Sequence, residues 1–108
     1  MSGNASQPSA ATPTYPAPAG GGNVSTALGV SGTKLVKASA GAVIRALVTV
    51  AGSGAGGIYD CTATAAAVTA NQIAVTPATV GPIDIQFPCL VGIFVVTGSG
   101  QQIALSYE

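Results

Sequence analysis

From residue 24 onward the chain is written in short runs of β-type residues separated by Gly, Pro, Ser and Asn. Apolar and polar positions alternate in several runs, the mark of a strand with one face buried and the other wet. Ile83, Ile85 and Phe87 fall on one face, with Asp84 and Gln86 on the other. Ile103, Leu105 and Tyr107 repeat the pattern. Residues 90–96 differ, because Val91, Ile93 and Val95 oppose Leu90, Phe94 and Val96. A run that is apolar on both faces predicts a central strand covered on both sides, or one with a face in an interface. Strands are predicted at 25–30, 34–38, 42–51, 57–62, 72–76, 83–87, 90–97 and 102–107. Their spacing of roughly 8–12 residues is that of an antiparallel sandwich or barrel. Residues 63–70 contain three consecutive alanines, which favour helix. The interleaved Thr and Val oppose it, and the stretch reads as an irregular strand or loop.

Residues 1–23 stand apart. They carry no charge, every proline before Pro77, and one aromatic, Tyr15. Nothing repeats at strand or helix spacing, and the apolar surface is too small to offset the entropy of ordering. The expected organisation is an arm over 1–23, extended around Pro13, Pro16 and Pro18, and a β domain over 24–108. Gly20, Gly21 and Gly22 read as the hinge between them. Tyr15 among these prolines is either an anchor for a partner's pocket or a solvated side chain in a tail. Pro13, Tyr15, Pro16 and Pro18 are therefore the candidate partner-binding residues.

Charge sharpens this picture. Charged residues make up 6% of the chain, three basic and three acidic, for a formal net charge of zero, where an ordinary soluble domain carries about 25%. Surfaces poor in charge resemble those that partners bury, so permanent partners are expected. With no basic excess there is no electrostatic footprint for nucleic acid. The longest apolar run, residues 89–96, is far short of the ~20 residues of a spanning helix, so no membrane insertion is expected. The first ten residues lack the basic and apolar regions of a signal peptide.

The residues that carry chemistry are sparse. There is no His, and Asp60, Asp84 and Glu108 fall on different predicted elements, so neither a catalytic constellation nor a metal or cofactor site is expected. Asp60 with Asp84 is the one carboxylate pair to weigh for glycoside hydrolysis, and solvated positions suit both better. Gly52, Gly54 and Gly57 match G-x-G-x-x-G, but the Ile58-Tyr59-Asp60-Cys61 that follows reads as strand, whereas a dinucleotide fingerprint needs a helix there. The cluster reads instead as a hairpin loop, as does Gly98-Ser99-Gly100. Cys61 and Cys89 fit small buried thiols or a single bridge across the sandwich.

Two longer stretches resemble a known group. TKLVKASAGAVIRALVTVAGSGAGGIYDCTATA and IDIQFPCLVGIFVVTGSGQQIALSYE are similar to the small β-sandwich structural proteins of tailed bacteriophages. The likeness lies in Lys34-Leu35-Val36-Lys37, Gly41 with a long apolar strand, and a glycine-rich loop before Ile58-Tyr59-Asp60. It continues in Phe87 with Leu90-Val91, a glycine turn, and the closing Ile103 to Tyr107. It covers roughly residues 33–108 and implies a jelly-roll-like antiparallel β-sandwich carried on the virion. The implied role is a head decoration (cement) protein, assembled in the bacterial cytoplasm, that binds the major capsid protein as a homo-oligomer, with a trimer favoured. The Ala-rich 63–70 and the two cysteines depart from the pattern. A minor tail, neck or head-fibre-base component is the alternative within this class. A surface carbohydrate-binding module is the alternative from another class, and the scarcity of aromatics speaks against it.

Overall fold

The computed structural model describes residues 24–108. These residues form eight strands: β1 (Ser25–Val30), β2 (Thr33–Lys37), β3 (Gly41–Val50), β4 (Gly56–Tyr59), β5 (Gln72–Thr76), β6 (Gly81–Cys89), β7 (Ile93–Val96) and β8 (Gln102–Tyr107). Short runs rich in Val, Ile and Thr, broken by Gly and Pro, favour this architecture over helices. They form two four-stranded sheets, ordered β1-β8-β3-β6 and β2-β7-β4-β5, and every pairing is antiparallel. Only the β4–β5 connection joins neighbours within one sheet, while the others cross between sheets. This double Greek-key order is that of a jelly roll.

The core is the layer between the sheets. Val43, Ala46, Val48, Ile103 and Leu105 come from one side and Ile58, Ile93 and Val95 from the other, all buried. Alternation explains the choice of residues on β8, where Ile103 and Leu105 face inward while Gln102 is exposed. The apolar run ending at Val96 behaves as its composition suggests. β7 lies between β2 and β4, and Ile93, Phe94 and Val95 are all buried. Ile93 and Val95 join the core, while Phe94 sits in a cross-strand row with Leu35 and Tyr59.

Three expectations are corrected and one is narrowed. The glycine clusters are not hairpin loops. The 51–55 and 97–101 segments each carry the chain from one sheet to the other and pack against each other. The Ser53 amide donates to the Ser99 carbonyl at 2.9 Å, and a β-carbon on Gly98 would collide with the Gly54 carbonyl. Backbone-to-backbone approach is what requires glycine there. Second, Phe87 does not share the buried face of Ile83 and Ile85. Gln86 adopts a positive φ of 47°, and the β3–β6 register slips between Val43 and Arg45. The resulting bulge breaks the alternation and leaves Phe87 half exposed. Third, the strand expected over 90–97 begins only at Ile93, because residues 90–92 form a turn with a different hydrogen-bond partner. Fourth, of the irregular strand or loop expected over 63–70 it is the loop that forms, and in an ordered shape. The β4–β5 connection contains two 3-10 turns, Thr64–Ala66 and Thr69–Asn71, and the Asn71 side-chain amide donates to the Ala66 carbonyl at 2.7 Å.

Candidate interaction surface

At the end of the sandwich where β4 finishes, Asp60 sits one residue past the strand. Its backbone amide donates to the Asn71 carbonyl at 2.8 Å, which turns the side chain toward the β6–β7 connection. One carboxylate oxygen accepts the Leu90 amide at 2.9 Å, and the other accepts Val91 at 2.7 Å and Gly92 at 3.1 Å. Partial desolvation pushes the carboxyl toward protonation, but these three amides outweigh it and hold it below its ordinary range. Hydrogen bonds to the charged form of a carboxylate lower its pKa. The chemical result is a clamp. Three consecutive amides that would otherwise need water or a ladder partner converge on one anion.

What the clamp displays is apolar. Leu90 is 78% exposed, and Val91, Phe87 and Pro88 beside it are also exposed. A turn with its backbone fixed and its side chains bare suits docking, because little entropy remains to be lost on contact. A second apolar area lies on the outer face of the β1-β8-β3-β6 sheet. A bulge between Ala27 and Val30, with Gly29 at a φ of +61°, leaves Leu28 74% exposed. Leu47, on β3, is exposed on the same face, and Ala104 lies in register beside it. Together with Thr26, Arg45 and Ser106 they surround a shallow depression of about 170 Å³.

The Gln86 side-chain amide donates to Asp84 at 3.3 Å, and Asp60 and Asp84 share no partner. Asp60 is thus not the solvated turn residue the sequence suggests. Cys61 and Cys89 are both buried as free thiols rather than bridged. Burial, the Asp60 charge and the neighbouring Cys61 push the Cys89 thiol up to about 11. Among the described residues no cluster of three or more His, Cys, Asp or Glu is placed to hold a metal ion. No helix among them is long and apolar enough to cross a membrane. Pro13, Tyr15, Pro16 and Pro18 lie outside the described residues.

Sequence reasoning missed the clamp and the exposed leucines. Asp60 meets its partners thirty residues away in the chain, so no local motif announces it. Gly29 after Leu28 is the one local signal, since an isolated glycine in a strand pattern marks a bulge.

The described residues thus form an eight-stranded jelly roll with two exposed apolar areas. Comparison with protein-family models, curated proteins and solved structures finds no match for this chain.

Proposed function

We propose that this protein is a structural component of a tailed-phage virion, specifically a head decoration protein that binds the major capsid protein. The observation that carries the reading is the surface. A jelly roll with only six charged residues exposes Leu28 and Leu47 on one sheet and Phe87, Leu90 and Val91 on a clamped turn. Isolated apolar residues on a surface need no explanation, but grouped ones mark contact sites. In this reading the sheet face and the turn are the surfaces through which copies pack on one another and on the capsid. Burying apolar area at about 25 cal/mol per Å², repeated over many joints, strengthens the shell without any chemistry. The resemblance of residues 33–108 to phage β-sandwich proteins points the same way.

The test is stoichiometry on purified particles, measured by quantitative mass spectrometry against the major capsid protein. A ratio near one to one, or a simple fraction set by capsid symmetry, supports decoration. A few copies per particle move the protein to the tail, neck or fibre base. Absence from particles, together with sugar affinity in a binding assay, replaces the reading with a carbohydrate-binding module.

A further inference from the structure

We propose that the two exposed apolar areas fit each other across copies of this chain. The clamped turn of one copy, with Leu90 as its knob, seats in the depression on the outer face of β1, β8 and β3 of a second copy. The inference rests on reading both areas as contact surfaces, and it names which meets which. One area is convex and the other concave. Leu90, at 78%, is the most exposed large apolar side chain among the described residues, and its turn is fixed by three amides on the Asp60 carboxylate. The knob is thus held out in one shape, with little entropy left to lose on contact. The depression is a hollow of about 170 Å³ among Leu28, Leu47 and Ala104, and its lining is almost wholly apolar. That volume is well below the roughly 300–1,000 Å³ of small-molecule pockets. With so little polar surface, nothing there orients a ligand or pairs a polar side chain that enters. An aliphatic side chain leaves nothing unpaired.

Within one chain the two areas stay apart. Cys89, at the base of the turn, pairs with Gly41, whereas the hollow starts at Arg45, four residues and about 13 Å further along β3. A clamped turn does not swing that far, so knob and hollow meet only between copies. Charge favours this pairing over the other two. The charge in contact with the turn is Asp60, and the one charged residue lining the depression is Arg45. Turn against turn brings two Asp60 charges together, and face against face brings two Arg45 charges together. Turn against face brings opposite signs toward each other, which steers the encounter. A contact between unlike surfaces runs head to tail and repeats from copy to copy until a ring closes. One turn in one hollow buries far less than the roughly 1,200–2,000 Å² of a stable interface. A single joint therefore holds weakly, and a ring, in which every copy makes two, is the form that persists.

The experiment follows full-length chains by sedimentation velocity from micromolar to millimolar concentration. Leu90→Ser removes the knob and Leu47→Lys spoils the hollow, and both change exposed side chains. The wild type should associate beyond a dimer as concentration rises, and each variant alone should stay monomeric. An equimolar mixture of the two should form one-to-one dimers and nothing larger, because only one intact knob and one intact hollow are left to meet. A second reading needs no variant: wild-type amide shifts should move with concentration at Leu28, Leu47 and Ala104 together with Leu90 and Val91. A wild type that is monomeric throughout overturns the proposal, as does a mixture that stays monomeric. Either variant associating alone, or shifts confined to one of the two areas, also overturns it, since like surfaces would then be meeting. All of this is read on free protein, so the joint can fail while particle stoichiometry still supports decoration, and the reverse. A monomeric wild type whose particle binding is lost with Leu47→Lys would give the hollow to the capsid protein instead.

Discussion

The two ends of the sandwich each have one side chain that gathers several hydrogen bonds, in opposite ways. At the end formed by the 51–55, 77–80 and 97–101 connections, the tie is Gln101, fully buried and neutral. Its amide oxygen accepts from the Thr76 hydroxyl and the Gly98 amide, both at 3.0 Å. Its amide nitrogen donates to the Thr76 carbonyl at 3.2 Å and the Pro77 carbonyl at 2.6 Å. At the other end the tie is Asp60, charged and only partly buried, gathering three amides of the turn it holds. A neutral amide can be buried without loss only when all its donors and acceptors are matched, and Gln101 meets that condition. A carboxylate keeps its charge most easily where water still reaches it, and Asp60 does. The first end is held by a buried, neutral group. The second is held rigid while remaining open, and it is there that Leu90 and Val91 are displayed.

The contrast can be broken at either end. The largest effect is expected from Gln101→Ala, which takes a partner from the buried hydroxyl and carbonyl of Thr76, at about 1–3 kcal/mol each if water cannot enter, and removes the part-buried bonds to Pro77 and Gly98 as well. Urea denaturation should show a loss of about 3 kcal/mol or more. Gln101→Glu should fare no better, since a carboxylate cannot donate to the two carbonyls. Asp60→Ala should cost less, about 1 kcal/mol, because solvent can replace part of what is lost. Its clearer mark is local: hydrogen exchange at Leu90, Val91 and Gly92 should accelerate while the Gln101 end stays protected.

Solution pH separates the ends further. Asp60 has a folded pKa below its ordinary value of 3.8, so its contribution is fully present above that value and is lost as pH falls through the folded pKa. The stability difference between wild type and Asp60→Asn should therefore be flat near neutrality and shrink only below about pH 4. Cys89 works in the other direction. Its thiol titrates near 9 when exposed and about 11 in the fold, so the folded state holds the proton more tightly. That contribution is intact below pH 9 and fades as pH rises toward 11, and a Cys89→Ala chain should show a flatter alkaline limb. The smallest stability effect is expected from Leu90→Ser, within about 0.5 kcal/mol as for most surface changes. If the proposed function is right, the same substitution weakens particle binding.

Much of the fold is legible in the sequence because it is local. Ser25–Val30, Gln72–Thr76 and Gln102–Tyr107 are bounded as their alternation and turn residues suggest. Which sheet each strand joins is not local. A glycine-rich connection such as 51–55 reads the same whether it turns back in one sheet or crosses to the other, and only the packing of the two loops decides. Phe87 was misread for a related reason: a single residue of positive φ at Gln86 inverts a pattern that is otherwise regular. The contact surface was least legible. Asp60 and Gln101 act through partners about thirty and twenty-five residues away, and an exposed leucine looks like a buried one until the bulge beside it is known.

Strand order also bears on how the chain is made. β8 inserts between β1 and β3, pairing Leu105 with Ala27 on one side and Ala46 on the other. Two strands synthesised early therefore wait, with bare edges, for residues 102–107 to leave the ribosome. Such distant pairings fold slowly, and unpaired edges invite association with other chains in the meantime. A chain truncated at the glycines before β8 would keep the edges of β1 and β3 bare, and self-association of such a product is the expected consequence.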